Sequence, residues 1–352
     1  MGVSSRDLGS PATPDPRRSG RGRARTGRSG PIDLDGLWRR VASAVGGVLA
    51  VGGLLGAVPA PQAVGPRLTS AAGAQAAPHA EAGTLAEEAE RLARELNASP
   101  SSPGGGDAGS WALGYDISWP QCPVGQGIPE RRTLGKPLPP PGSLYVVIGL
   151  TNGPAFYPNP CLAEQVAYAR AQRMWASAYA VVTYPTAAQL RRYGGAGPFP
   201  AGTAEGQLRN TGFAQAQVNA AWMRQAGLAS PHVWLDVEPV RPPAPWSGDQ
   251  QANLAVVEGA MRGYAAEGLT TGVYSTPYLW ASILGSARFS LPEWRAAGPT
   301  SQTRAREQCS GPAIQGGSAV LAQWSTVDVD FNVVCPGTPA PDVLARYFAR
   351  LG

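Results

Sequence analysis

The feature of this sequence that most restricts its fold is an alternation, from Trp111 onward, of short apolar runs with helix-like segments. The predicted strands are 113–118, 144–151, 175–184, 232–238, 270–275, 292–298, 319–325 and 327–334. The predicted helices are 161–173, 213–227, 251–268 and 341–351. Strands that alternate with helices over about 240 residues are typical of parallel α/β structure, and this length suits a barrel. We therefore predict an α/β fold, a TIM-like (β/α) barrel over residues 111–352. A doubly wound sheet is the alternative, but the first strand lacks the Gly-rich turn that usually follows it there.

The first 110 residues have a different composition and predict no core. Residues 1–63 join an Arg-rich basic leader to an apolar run, 41–58, which predicts either a secretory signal or an uncleaved membrane anchor. Residues 64–110 are rich in Ala, Ser, Gly and Pro, so we predict a disordered linker, in which 84–99 could form a short helix. We expect a secreted or cell-wall-associated protein, with membrane contact only through 41–58 if that run is uncleaved.

Four cysteines follow the apolar run, so export would place them in an oxidising compartment. They are Cys122, Cys161, Cys309 and Cys335. Four cysteines allow three pairings, and we favour Cys122–Cys161 and Cys309–Cys335 because each closes a loop between neighbouring segments. A zinc site is the alternative, but the chain has no C-x-x-C pair and its histidines are His79 and His232. We predict no metal and no cofactor.

The charge of the predicted barrel argues against one class of partner. From Trp111 onward the chain has seventeen basic and fourteen acidic residues, a net charge of +3. Nucleic-acid-binding domains usually carry a dense basic patch or stripe, and no such pattern is present. We therefore expect no nucleic-acid partner, and we expect the protein to be a monomer.

Two acids in the strand HVWLDVE, residues 232–238, carry the strongest functional signal. Side chains alternate across a strand, so Asp236 and Glu238 share one face with His232 and Trp234, and the aliphatic residues between them share the other. The aliphatic face suits packing under helices, which turns the acids inward at the end of the strand. Active sites of β/α barrels lie at that end. We expect His232, lower on the same face, to belong to the core.

Two further strands place acids in comparable positions. Asp116 stands near the end of LGYDIS, and Asp330 shares a face with Asp328 and Asn332 in VDVDFN. A single Asp at a strand end is most often a helix cap, and a D-x-E pair can also bind a divalent cation. Acids from three strands at one rim indicate a different role. Carboxylates that lie close together have different pKa values, so a protonated acid stands beside ionised neighbours. Glycoside hydrolysis uses that combination.

These motifs resemble, in order, those of glycoside hydrolase family 25 lysozymes. GYDIS resembles the G-x-D-x-S opening strand, WLDVEP the D-x-E strand, TTGVYST the fifth strand, EWRAA the sixth, and QWS with VDVDFN the closing pair. The likeness extends over 111–335, and the nearest subgroup is a set of secreted actinobacterial proteins that carry GYD-S-PQC. It implies an irregular β/α barrel and muramidase activity, which cuts peptidoglycan between N-acetylmuramic acid and N-acetylglucosamine.

The resemblance also implies roles for individual residues. Glu238 resembles the general acid, and Asp236 the partner that positions the substrate or a water. Asp116 and Asp330 resemble the flanking acids that stabilise charge; Asp328 is a rival for Asp330, which fits the D-x-N pattern better. We expect substrate contacts from Asn332 and from stacking aromatic side chains. The aromatic candidates are Trp119, Tyr274, Tyr278, Trp294 and Trp324.

The sequence departs from the family pattern at three places. The second strand, IGLTNG, lacks the usual polar residue, and the third, AYAVV, lacks an aromatic–His pair. The segments 123–143 and 185–211 are Pro- and Gly-rich inserts that lengthen two rim loops. Two alternatives therefore accompany the muramidase prediction. One is a weakly catalytic or non-catalytic module that binds wall carbohydrate on the same fold, and the other is a glycosidase for another polysaccharide.

Overall fold

The structure is a computed structural model that describes residues 111–239 and 245–352. The predicted basic leader, apolar run 41–58, linker 64–110 and helix 84–99 lie outside the described residues. Among the helices that are described, none combines the length and apolarity needed to cross a bilayer.

Eight strands form a closed barrel. They are β1 Leu113–Ile117, β2 Tyr145–Gly149, β3 Trp175–Val181, β4 His232–Asp236, β5 Thr270–Ser275, β6 Glu293–Pro299, β7 Ala319–Ser325 and β8 Asp330–Val334. The order around the barrel is β2-β1-β8-β7-β6-β5-β4-β3, and β3 pairs with β2 to close it. All neighbours are parallel except β8, which is antiparallel to both β1 and β7. The predicted irregular α/β barrel is therefore confirmed.

The helices are more numerous than the sequence predicted. They are α1 Leu162–Ala171, α2 Ala187–Tyr193, α3 Ala204–Ala226, α4 Gln250–Ala266, α5 Pro277–Leu284, α6 Gln302–Gln308 and α7 Ala340–Tyr347. The short helices α2, α5 and α6 were not predicted, because seven or eight residues show little helical periodicity. Segment 185–211 is not the predicted loop, since it contains α2 and the first turns of α3. Side chains of Thr186 and Thr203 cap these two helices.

The two faces of β4 pack as the alternation predicted. Val233 and Leu235 join the core cluster between the strands and the helices, whereas Trp234 joins an aromatic cluster inside the barrel. His232 is fully buried below Trp234, with ring centroids 4.5 Å apart, and its Nδ1 lies 2.8 Å from Thr270 Oγ1. The assignment of His232 to the core is therefore confirmed.

One end of the barrel is closed by the last helix. Helix α7 and the residue after it bring Tyr347 and Phe348 into the inner aromatic cluster. Phe348 lies edge-on to Tyr145, the first residue of β2, at 5.1 Å, and Tyr347 contacts His232, the first residue of β4, at 4.8 Å. Because an eight-stranded barrel is just wide enough to be filled by side chains, this end is solid. We call it the closed end, and the opposite end of the parallel strands the open end.

The four cysteines form the two predicted disulfides. Cys122–Cys161 joins the turn after β1 to the start of α1, with Cα atoms 5.5 Å apart. Cys309–Cys335 joins the end of α6 to the residue after β8, with Cα atoms 5.4 Å apart. Both pairs are thus confirmed, and no cysteine is left to ligate zinc.

Candidate active site

A cavity of about 290 Å³ lies at the open end of the barrel. Four carboxyl groups line it, those of Asp116, Asp236, Glu238 and Asp330. We call it the acid cavity. Its other lining residues are Ser118, Trp119, Pro120, Tyr179, Tyr274, Trp294, Gly298, Gln323 and Ser325. The acids that the sequence assigned to three separate strands therefore share one opening.

Strand direction explains why these acids meet. Asp116 and Asp236 stand at or near the ends of β1 and β4, which run parallel to the rest of the barrel. Asp330 is the first residue of β8, and because β8 is antiparallel its beginning lies at the same end. Asp116 and Asp330 are direct partners across the β1–β8 pair. Glu238 follows β4 by two residues, and Trp246 Nε1 donates to its backbone oxygen at 2.8 Å.

Asp116 is held by a network of amides. Gln323 Nε2 donates to its two carboxylate oxygens at 3.1 and 3.0 Å, and Asn332 Nδ2 donates to Oδ2 at 2.7 Å. The amides are oriented in turn, because Tyr274 OH donates to Gln323 Oε1 and Trp294 Nε1 donates to Asn332 Oδ1, both at 2.7 Å. Burial raises the pKa of Asp116 well above its usual value, Asp330 raises it further, and the two amides oppose the rise. The network fixes the orientation of this carboxyl group.

Asp236 is buried with less support. Only 3% of its surface is exposed, and its Oδ1 has no hydrogen-bond partner among the described residues. Its pKa is raised well above the usual value, first by burial and then by the charges of Glu238 and Asp116. Buried polar atoms are nearly always paired, and an unpaired one in a cavity wall is suited to accept a hydrogen bond from a ligand.

Glu238 and Asp330 are partly exposed and titrate near neutral pH. Burial raises the pKa of Glu238 to about 7, with the charge of Arg131 opposing the rise and Asp330 adding to it. Burial raises the pKa of Asp330 to about 6, and Lys136 opposes this rise. Both cations belong to segment 123–143, one of the predicted inserts. At a pH between these two values, more than half of Glu238 is protonated and more than half of Asp330 is ionised.

Three of the predicted aromatic residues line the acid cavity, namely Trp119, Tyr274 and Trp294. Trp119 is partly exposed, so its ring can offer a stacking face. Trp294 is 1% exposed and Tyr274 lies against it, with ring centroids 4.5 Å apart. The last two rings therefore form the floor of the cavity and orient the amides.

The other predicted contact residues lie elsewhere. Trp324 is outside the cavity: it stacks on Phe331, with ring centroids 5.0 Å apart, and packs with Ala305 of α6 on the outer face. Tyr278 is 68% exposed on α5, away from the cavity lining. Asn332 is fully buried and acts on the cavity through Asp116. Asp328, the rival of Asp330, is exposed in the turn between β7 and β8.

Sequence reasoning missed Gln323 and Tyr179. The alternation within AVLAQWS, applied strictly, turns Leu321, Gln323 and Ser325 inward and Trp324 outward, so the signal for Gln323 was present. Tyr179 shares the inward face of β3 with Trp175, and its hydroxyl bonds the Ser118 side chain. Burial raises the pKa of Tyr179 well above its usual value, and the charge of Asp116 adds to the rise.

Comparisons with known proteins point to one group. Residues 203–303 match the family model described as Lysozyme-like protein 1. A relative from Dictyostelium discoideum, described as "Probable GH family 25 lysozyme 4", is 39% identical over 66 residues, which is 18% of this chain and 29% of the relative. The match thus spans less than a third of the relative's length. The family-model segment contains Asp236 and Glu238, whereas Asp116 and Asp330 lie outside it.

Two solved structures show likeness over a larger part of the chain. The bacterial lysozyme from Streptomyces coelicolor is 17% identical, with a TM-score of 0.43, over 68% of this chain and 97% of that one. A family GH25 lysozyme from Aspergillus fumigatus is 15% identical, with a TM-score of 0.42, over 68% of this chain and 100% of that one.

The described residues form a closed eight-stranded α/β barrel with an acid cavity at its open end. Part of the chain is thus similar to lysozymes, among them one described as a probable GH family 25 lysozyme. The narrower likeness to actinobacterial proteins stays a prediction.

Proposed function

We propose that this protein is a secreted or wall-associated glycosidase that hydrolyses β-1,4 bonds of peptidoglycan, as muramidases do. The observation that carries the proposal is the meeting of four carboxyl groups from β1, β4 and β8 in one open cavity. The family-model match over 203–303 supports it, because that segment contains Asp236 and Glu238. The two disulfides support export, since such bonds persist in oxidising compartments.

In this proposal Glu238 donates the proton. Its pKa of about 7 keeps a proton on the carboxyl group near neutral pH, and its partial exposure gives a glycosidic oxygen access to it. Cleavage of a glycosidic bond develops positive charge on the sugar ring, in an oxocarbenium-like transition state. Ionised Asp330, across the strand pair from Asp116, stabilises that charge. Asp236 accepts a hydrogen bond at Oδ1 from the sugar or from a water.

The dimensions of the cavity favour a chain-like substrate. Ligand pockets usually measure about 300–1,000 Å³, so a cavity of about 290 Å³ lies just below that range. We expect it to hold the sugar at the scissile bond, with Trp119 stacking on a ring face, while the rest of the strand lies along the open end.

The decisive test is Glu238→Gln in the full chain, with reducing ends followed on purified peptidoglycan. We expect the rate to fall by about 10²–10⁴-fold, because the amide retains the shape but cannot donate a proton to the leaving oxygen. Glu164→Gln, an exposed residue of α1, is the matched control and should leave the rate unchanged. Undiminished release by Glu238→Gln would remove Glu238 from the proposed role.

The pH dependence of kcat/KM should be bell-shaped. Protonation of Asp330 lowers activity as the pH falls below about 6, and loss of the Glu238 proton lowers it as the pH rises above about 7. The optimum is therefore expected between these values. A flat profile from pH 5 to 8 would contradict this pairing of acid and anion.

A second candidate function is binding of wall carbohydrate with little turnover. One observation favours it: at the end of β2, Ser118 and the ring of Tyr179 occupy the space beside Gly149, so this strand brings no charged side chain to the cavity. Sedimentation with insoluble peptidoglycan, without product after long incubation, would support binding alone. A panel of other polysaccharides would test the third candidate, hydrolysis of a different glycan.

A further inference from the structure

The segment 123–143, which lengthens the loop after β1, is firmly attached to the barrel. The disulfide Cys122–Cys161 anchors its first end. Gly135 N donates to Cys122 O at 2.9 Å, and Lys136 N donates to Pro120 O at 3.0 Å. Lys136 therefore begins from a backbone position that is fixed close to the acid cavity, of which Pro120 is a lining residue.

The side chain of Lys136 reaches across to another part of the open end. Its Nζ donates to Val327 O at 2.5 Å, in the turn 326–329 between β7 and β8. This turn is closed by a hydrogen bond from Thr326 N to Val329 O at 2.8 Å. Asp330 follows immediately, paired with Ser325 across the hairpin. Lys136 thus links the insert to the turn that leads into Asp330, and it is the one Lys among 29 basic residues of the chain.

We propose that Lys136 is a positioning residue of the acid cavity: its ammonium group fastens the turn 326–329 and places a positive charge beside Asp330, so that Asp330 remains the anion while Glu238 holds the proton. This inference rests on the proposed function and adds the group that sets the different roles of Asp330 and Glu238. Lysine suits this role because its compact ammonium group can donate a hydrogen bond to Val327 O while its positive charge acts on Asp330.

The groups around Asp330 show why a cation is needed there. Asp116 of β1 and Glu238 beyond β4 face it and repel its charge. Tyr179 of β3 and Tyr274 of β5 also face it, and their hydroxyl groups stay neutral because burial, chiefly, raises their pKa values. Burial raises the pKa of Asp330 and Lys136 opposes that rise, as Arg131 opposes the rise at Glu238. Without Lys136, Asp330 and Glu238 would compete more closely for one proton.

The test compares Lys136→Met with Lys136→Arg in the full chain. With Met, the acid limb of the kcat/KM profile should move up by about 1 pH unit, because an opposite charge close to a carboxylate lowers its pKa by that order. With Arg, which retains the charge, the limb should stay near its original position. Arg132→Met is the matched control: Arg132 donates to Gly125 O and Gly127 O within the same segment, so it reports any loosening of the loop.

A second readout separates this inference from the proposed function. The Asp330 carboxyl carbon, followed by NMR as a function of pH, should titrate at higher pH in Lys136→Met than in the unmodified chain. An unmoved Asp330 titration, or an equal shift in Lys136→Arg or Arg132→Met, would overturn the role of Lys136. If the unmodified protein releases no reducing ends from peptidoglycan, the proposed function fails, and the titration still decides whether Lys136 controls Asp330.

Discussion

The two ends of this barrel are built from the same eight strands but in opposite ways. At the closed end, Tyr145, Trp175, Tyr347 and Phe348 belong to one aromatic cluster, and Tyr347 contacts the neutral ring of His232. At the open end, carboxyl groups from β1, β8 and the end of β4 line the acid cavity, and Asp236 keeps an oxygen without a hydrogen-bond partner among the described residues.

This difference indicates that the closed end stabilises the fold, whereas the open end carries the proposed chemistry. Close-packed aromatic side chains at the closed end supply favourable burial, whereas crowded acids at the open end cost free energy when they ionise. Substitutions at the open end should therefore lower activity and spare stability, and substitutions at the closed end should do the reverse.

At the open end, Asp236→Asn should abolish most activity without loss of stability. We expect kcat to fall by about 10²–10⁴-fold, because an amide can still accept a hydrogen bond at Oδ1 but cannot exchange a proton with the reacting sugar or water. The midpoint of thermal unfolding should stay level or rise, because the substitution removes repulsion with Glu238 and Asp116. Reducing-end release and calorimetry measure the two effects. A marked loss of stability would mean that the open end also supports the fold.

At the closed end, Phe348→Ala should have the reverse signature. Truncation of a buried Phe costs about 3–5 kcal/mol in the free energy of unfolding, and Phe348 is 1% exposed. The kcat of the folded protein should remain unchanged, since the residue is remote from the acid cavity. Denaturant titration checks the first point, and activity per folded molecule checks the second. Asp342→Ala, on the exposed side of α7, is the control and should cost less than about 1 kcal/mol.

The pH dependence of stability should also differ between the ends. Burial lowers the pKa of His232 from 6.5 to about 3, so the closed end loses stability as the pH falls through that interval. At the open end, burial raises the pKa of Glu238 from 4.5 to about 7, so stability present below 4.5 is lost as the pH rises toward 7. Each unit of pKa difference corresponds to about 1.4 kcal/mol.

Denaturant unfolding from pH 3 to 8 can separate these contributions. Glu238→Gln should flatten the loss of stability toward neutral pH, and His232→Gln should flatten the loss toward acid pH. If His232→Gln left the acid side as steep as before, the buried imidazole would not be the group responsible.

The smallest effects are expected from two aromatic candidates, the partly exposed Trp119 and the exposed Tyr278. Trp119→Leu should raise KM by about three- to tenfold through loss of one stacking contact. Tyr278→Leu should leave KM unchanged and should change the free energy of unfolding by no more than about 0.5 kcal/mol, because its ring lies on the surface of α5. Equal effects on KM from the two substitutions would place the glycan outside the acid cavity.

Much of this arrangement was predictable from local patterns. The alternation in HVWLDVE turned Asp236 and Glu238 inward, and the same rule, had it been applied to AVLAQWS, would have selected Gln323 in place of Trp324. The short helices escaped prediction because their capping residues, such as Thr186, are a weaker signal than hydrophobic periodicity. Gln323 and the short helices could therefore have been predicted, because the alternation and the capping residues are present in the sequence.

Other features depend on contacts between distant segments. Glu293, on the outer face of β6, accepts hydrogen bonds from the backbone of Ile314, Gln315 and Gly317. The link between Lys136 and Val327 spans 191 positions. No spacing rule connects such partners, because their proximity arises only after the barrel closes.

The sequence by itself determined which side chains face inward, since alternation along a strand is local backbone geometry that each segment carries with it. Only the tertiary structure decided that Asp330 would stand across from Asp116, because this requires β8 to run antiparallel between β1 and β7. It also decided which acid would hold a proton. That outcome depends on burial and on the cations of segment 123–143, which act through space and not along the chain.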